Sequence, residues 1–129
     1  MLEMEIEFIL YVANLEKSKK FYSTLLNKVP ALDVSGMTEF MLDDKTKLGL
    51  MPESGINKIF GGKTSNPAYG NGIPRCELYL KSKNLDLHYQ NALKAGAKII
   101  SQPSPRDWGD LVAYVADPDG HIIAFAQNL

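Results

Sequence analysis

The feature that most limits what this chain can become is an internal repeat. Residues 7–29 laid over residues 77–99 match Glu7 with Glu77, Leu10 with Leu80, Asn14 with Asn84, Leu15 with Leu85 and Lys28 with Lys98, while Glu16 meets Asp86 and Val29 meets Ile99. The matches keep a strand, a helix cap and a helix start in step, so one supersecondary unit recurs. EIEFILYV, residues 5–12, alternates, with Ile6, Phe8, Leu10 and Val12 on one expected core face and Glu5, Glu7, Ile9 and Tyr11 on the other. Asn14 can cap LEKSKKFYSTLL, a helix whose Leu15, Tyr22, Leu25 and Leu26 share a stripe and whose Glu16 sits near the positive end of the helix dipole. VPALDV, TEFML and KLGLM then read as three short strands, the last turn being Asp43-Asp44-Lys45.

The second copy repeats that order. RCELYLKS is a strand, Asn84 a cap, and LDLHYQNALKAGA a helix with Leu85, Tyr89, Ala92 and Leu93 inward and Gly96 as its stop. AKIISQP, DLVAYVAD and GHIIAFAQ supply three further strands. Residues 52–74, rich in Gly and Pro, show neither period and read as a linker or lid. The expected fold is therefore α+β, two tandem βαβββ modules at about 5–52 and 74–129 in one domain over 1–129, with a linker or lid at 53–73. With the turns aligned at Asp44 and Asp119, the final strands pair Leu48 with Ile123, Gly49 with Ala124, and Leu50 with Phe125.

A chain of 129 residues, 45% of them hydrophobic, can fill one core. The net charge of −1 comes from acids and bases mixed along the chain, which excludes a phosphate-binding strip, so nucleic acid is not an expected partner. The single cysteine, Cys76, rules out an internal disulfide or a cysteine-rich zinc site, and it shares a strand face with Leu78 and Leu80, where a buried inert thiol is expected. Nothing before Glu3 reads as a signal peptide, and no apolar run approaches the roughly 20 residues that cross a bilayer, so a cytoplasmic protein without membrane contact is expected.

These residues resemble the vicinal oxygen chelate superfamily, which includes glyoxalase I, bleomycin-resistance proteins and extradiol dioxygenases. The resemblance covers nearly the whole chain and is strongest in YVANLEKSKKFYSTLL and WGDLVAYVADPDGHIIAF, with NALKAGAKI between them. It implies curled mixed half-sheets enclosing a cavity, often completed by a second chain, so a homodimer is implied. It also implies a cavity ion in metal-dependent members, held from the first and last strands of each module; those places here are Glu7, Gly49, Glu77 and Ala124. Two of the four have no ligand atom. A zinc or nickel site wants imidazole as well as oxygen, and His88 and His121 stand elsewhere. A hard ion on Glu7 and Glu77 is the alternative to no cofactor at all.

Without a metal, two carboxylates in a cavity need donors or cations opposite them. Arg75 and Lys81 share the strand face of Glu77, and Lys47 that of Gly49, so internal ion pairs are one expectation. The other is that Glu7 or Glu77 moves a proton or meets a ligand's donor. Tyr11, Tyr79 and Met51 are expected pocket walls, with Ile9 and Met41 near them. By resemblance Arg106 and Trp108 border the entrance, and Phe60 and Tyr69 are expected to close over it. Asp117 and Asp119 belong to DPDG, a turn in which Pro118 fixes φ and Gly120 accepts a positive value. Three functions fit: a metal-free binder of a small amphipathic molecule, a glyoxalase- or dioxygenase-like enzyme with an atypical divalent ion, and a metal-free acid/base isomerase.

Overall fold

The structure, a computed structural model, describes residues 3–129. In chain order it comprises β1 (Ile6–Val12), α1 (Leu15–Leu26), β2 (Leu32–Val34), β3 (Met37–Met41), β4 (Thr46–Pro52), α2 (Glu53–Phe60), a 3-10 turn (Pro67–Gly70), β5 (Glu77–Lys81), α3 (Leu85–Lys94), β6 (Lys98–Pro105), β7 (Asp110–Ala116) and β8 (Ile122–Asn128). Two four-stranded mixed sheets result, ordered β1-β4-β3-β2 and β5-β8-β7-β6, so the second βαβββ module repeats the topology of the first. The repeat extends to individual pairs. Phe8 faces Leu48 and Ile9 faces Gly49 in the first parallel pair, and Leu78 faces Ile123 and Tyr79 faces Ala124 in the second.

The residues up to Lys19 and Lys28–Asn71 form one compact unit, and Lys20–Asn27 with Gly72–Leu129 another. In the first, Val12, Phe40, Leu48 and Leu50 are sealed from solvent. In the second, Tyr22, Leu25, Val112, Val115, Ile123 and Phe125 are sealed, with the His88 ring of α3 stacked on Phe125 at 5.8 Å. Both expected caps form: the Asn14 side chain accepts from Lys17 N at 3.0 Å and that of Asn84 from Leu87 N at 3.2 Å. Gly96 has φ +83° and stops α3 as its freedom from a Cβ allows.

Four expectations change. Ile6 and Phe8 are 38% and 51% exposed rather than core, because β1 is the edge strand of its sheet and only its Val12 end is covered. Residues 52–74 contain α2, too short a helix for Ile56 and Phe60 to establish a period. Cys76 lies ahead of β5 and is exposed, so it is not a buried thiol. Leu93 is 43% exposed, and His88 takes the inward place on α3 instead. No helix among the described residues is long and apolar enough to cross a membrane.

Candidate functional site

On the first unit, the face bearing Gly49 is ordered in rows across the sheet. Glu7, Lys47 and Met41 form one row, Ile9, Gly49 and Glu39 the next, and Tyr11 and Met51 the third, successive rows being about 7 Å apart along the strands. Glu39 was legible in principle, since counting outward from the Asp43-Asp44-Lys45 turn pairs Met41 with Lys47 and then Glu39 with Gly49. The Glu7 carboxylate lies over Gly49: a Cβ there would run into Glu7 Oε2 and stand 3.1 Å from Ile9 Cγ1. Gly49 is bare because the side chain of its neighbour uses the space. Glu7 Oε2 is itself buried, and among the described residues no N–H or hydroxyl group donates to it; its polar neighbour is the Glu39 carboxyl.

Lys47 reaches Glu39 at 3.6 Å, so the expected internal ion pair exists but with Glu39. Burial, and then the hydrogen bond and charge of Glu39, hold the Glu7 carboxyl above the ordinary carboxylate range, with Lys47 acting in the opposite direction. A hollow of about 110 Å³ adjoins the group, lined by Glu5, Ile6, Glu7, Met41, Asp44, Lys45 and Lys47. At the other end of the same face the Tyr11 ring meets Phe60 of α2 edge-on, with centroids 6.1 Å apart and planes at 73°. Met51 beside them is half-buried. Tyr69, by contrast, is 79% exposed.

The raised Glu7 carboxyl has a consequence for stability. Between the ordinary carboxylate value and the raised one the folded chain holds a proton that the unfolded chain releases, so stability falls as pH rises through that window. Glu7→Gln removes the titration. The variant is expected to match the parent near pH 4 and to melt higher by about 1–3 °C at pH 7. Thermal melts at pH 4, 5.5 and 7 check this; a parent that is the more stable at pH 7 contradicts it.

On the second unit Ala124 lies between Tyr79 and Tyr114 in the strand register and is fully covered. The Tyr79 hydroxyl donates to Asp110 Oδ2 at 2.6 Å and accepts from Trp108 Nε1 at 2.9 Å, so two expected wall residues are joined through one oxygen. Lys81 pairs with Asp110 at 3.2 Å rather than with Glu77. The hydrogen bond from Tyr79, and after it Lys81, hold the Asp110 carboxyl below its usual range, while burial and then Asp110 raise the Tyr79 hydroxyl. Asp110 and Tyr114 were missed as site residues, because a carboxylate at the start of an apolar strand looks like a solvated end until the register is known. Arg106 packs its guanidinium over the Tyr114 ring at 5.3 Å. Glu77 is exposed and pairs with neither Arg75 nor Lys81, contrary to the ion-pair expectation.

Of the four places that the resemblance gives to a metal ion, two lack a donor atom. Gly49 and Ala124 carry no ligand atom, Glu7 lies along the sheet, and the cation facing the Glu7–Glu39 pair is already Lys47. Elsewhere, ligand atoms of Asp117, Asp119 and His121 gather within 4.8 Å. Both Asp117 oxygens are committed, however: Oδ2 to the Tyr22 hydroxyl at 2.6 Å, and Oδ1 to the N–H groups of Asp119 and His121 at 2.9 Å each. Asp117 therefore organises the turn, as DPDG implies.

The chain matches the Glyoxalase-like domain over residues 6–129, and it belongs to that family. It is 30% identical over 118 residues to an uncharacterized protein of Mycobacterium bovis, covering 84% of this chain and 70% of that one. An uncharacterized protein of Mycobacterium tuberculosis matches at the same identity, and there the chain spans 62% of the relative's length. Among solved structures, a glyoxalase-related enzyme from Fulvimarina pelagi superposes with a TM-score of 0.82 at 21% identity, covering 98% of this chain and 89% of that one. A glyoxalase/bleomycin resistance protein/dioxygenase from Nocardioides gives 0.75 at 20% identity, covering 100% and 85%. At those identities the likeness is one of fold.

Proposed function

We propose that the protein is a metal-free binding protein for a small amphipathic molecule, of the glyoxalase/bleomycin-resistance type. The observation that carries this reading is the Glu7 carboxyl lying over bare Gly49, its inner oxygen buried with no N–H or hydroxyl donor among the described residues, where a metal-dependent relative would place a ligand pair. A buried acceptor without a donor is unfavourable by about 1–3 kcal/mol, and a ligand hydroxyl or ammonium would relieve it. Ile9, Met51, Tyr11 and Phe60 continue the same face in apolar groups, which suits a molecule polar at one end. Glu77, Tyr79, Arg106 and Trp108 are the corresponding groups on the second unit.

The test is metal analysis of protein purified without chelator, combined with mass spectrometry of whatever copurifies. The binding-protein reading expects well under one ion per chain and a released organic molecule. Stoichiometric Mn, Ni or Zn that disappears in Glu7→Gln would favour the divalent-ion enzyme instead. A second reading, a metal-free isomerase with Glu7 as base, is favoured by the raised Glu7 carboxyl. It requires that Glu7→Gln abolish turnover on a discovered substrate while leaving its binding intact. Association as a homodimer belongs to the same proposal, with the exposed Ile6 and Phe8 as surface it would cover, and a monomer in sedimentation equilibrium removes it.

A further inference from the structure

Arg106 opens the loop between β6 and β7, and that loop is held from both sides. Its backbone N–H donates to the Asp110 carbonyl at 2.8 Å, and its own carbonyl accepts from Gly109 N at 3.1 Å, with Gly109 at φ +93°. The side chain turns back over the sheet. Nη2 donates to Ser101 Oγ at 2.7 Å, and the guanidinium carbon lies 5.3 Å from the centre of the Tyr114 ring. Nε is buried with no acceptor among the described residues. Among the described residues no carboxylate comes within 4.0 Å of this guanidinium. Asp110, tied to Arg106 through the backbone, is already taken up by the Tyr79 hydroxyl and the Lys81 ammonium. The cation is thus oriented with no carboxylate in reach, and among the described residues its one side-chain acceptor is Ser101 Oγ.

Trp108 stands two residues further along the same tight turn and is 59% exposed. Its indole N–H is bound to Tyr79, itself 37% exposed, so one edge of the ring is held while more than half of the residue stays open to solvent. A pinned, exposed aromatic is a stacking surface whose ordering has been completed in advance. Tyr79 and Tyr114 flank Ala124 in the register, which gathers both tyrosines, the guanidinium and the indole around one small residue. A fork of parallel N–H groups matches the two oxygens of a carboxylate. A phosphate dianion would draw on a second cation, and Lys81 is spent on Asp110.

Building on the binding reading above, we propose that this loop receives a planar carboxylate of benzoate size, its carboxylate on Arg106 and its ring against Trp108. Trp108 is the single tryptophan of the chain, so its emission reports the site directly. Titrating the full chain with 4-hydroxybenzoate is expected to quench it saturably, with a dissociation constant of about 0.1–1 mM for so small a probe. The neutral isostere 4-hydroxybenzamide and the variant Arg106→Lys, which keeps charge but loses the fork, are each expected to bind about tenfold more weakly. Calorimetry on Trp108→Phe follows the same binding without the fluorophore.

Equal binding of the acid and the amide, or an unchanged constant in Arg106→Lys, overturns the inference, and the amide comparison decides even where an Arg106 variant does not fold. Titration with 4-hydroxybenzylamine separates the two levels of the proposal. If the amine binds in a Glu7-dependent way and 4-hydroxybenzoate does not bind, the carboxylate receptor is wrong and the binding protein stands. If neither probe binds and nothing organic copurifies, both fall.

Discussion

Asp117→Ala is expected to lower stability by about 3–5 kcal/mol, the largest effect of any single substitution considered, because three hydrogen bonds end on one carboxylate. The Tyr22 hydroxyl is buried with its residue fully sealed, and without Asp117 Oδ2 it keeps its desolvation and loses its acceptor at 2.6 Å. Burial and the neighbouring Asp117 charge raise the Tyr22 hydroxyl well above its ordinary value, which favours its role as donor. The N–H groups of Asp119 and His121 lose their acceptor in the same step, which loosens the turn from β7 to β8. Tyr22→Phe removes the donor alone and is expected to be milder, about 1–3 kcal/mol, since it leaves the carboxylate its two backbone partners. Urea melts followed by circular dichroism measure both. A loss under about 1 kcal/mol for Asp117→Ala would mean that the turn is held by Pro118 and Gly120 without the carboxylate.

Gly120→Ala is expected to follow, at about 2–4 kcal/mol and a fall of roughly 10 °C in melting temperature. Two separate obstacles combine. Gly120 has φ +88°, a conformation that L-residues adopt at a penalty, and its added Cβ would stand 2.9 Å from Gly72 Cα and 3.3 Å from the Gly72 carbonyl carbon. Both contacts are with backbone, which cannot swing aside as a side chain can. The approach is anchored by Gly72 N donating to the Asp119 carbonyl at 3.1 Å. Gly36→Ala is the control, because a Cβ there meets nothing within 4 Å. Similar melting temperatures for the two variants would show that the Gly72 segment yields freely.

The site was legible unevenly, for identifiable reasons. Glu7, Gly49, Tyr79 and Ala124 could be placed on one side of their strands because strand alternation needs only the sequence. The roles of Glu39, Asp110 and Tyr114 depend on which residues stand opposite across a sheet, which follows only once each register is known. Lys47 and Lys81 are expected partners for acids on their own faces, yet they meet Glu39 and Asp110, since Glu7 turns over Gly49 and Lys81 reaches past β8 to the start of β7. The helix at Glu53–Phe60 escaped notice because in so short a segment the inward positions are too few to distinguish a period from chance.

By itself the sequence determined the repeated βαβββ order, the caps at Asn14 and Asn84, the DPDG turn and the lack of ligand atoms at Gly49 and Ala124. Those are local matters of periodicity, side-chain chemistry and backbone freedom, encoded within a few residues of where they act. Only tertiary structure decided that Glu7 fills the space over Gly49, that Tyr79 bridges Trp108 and Asp110, and that Arg106 lies on Tyr114 with no carboxylate among the described residues beside it. Each of these joins residues brought together by strand pairing or by a loop folding back over the sheet, and no pattern along the chain records which atoms come within hydrogen-bond reach.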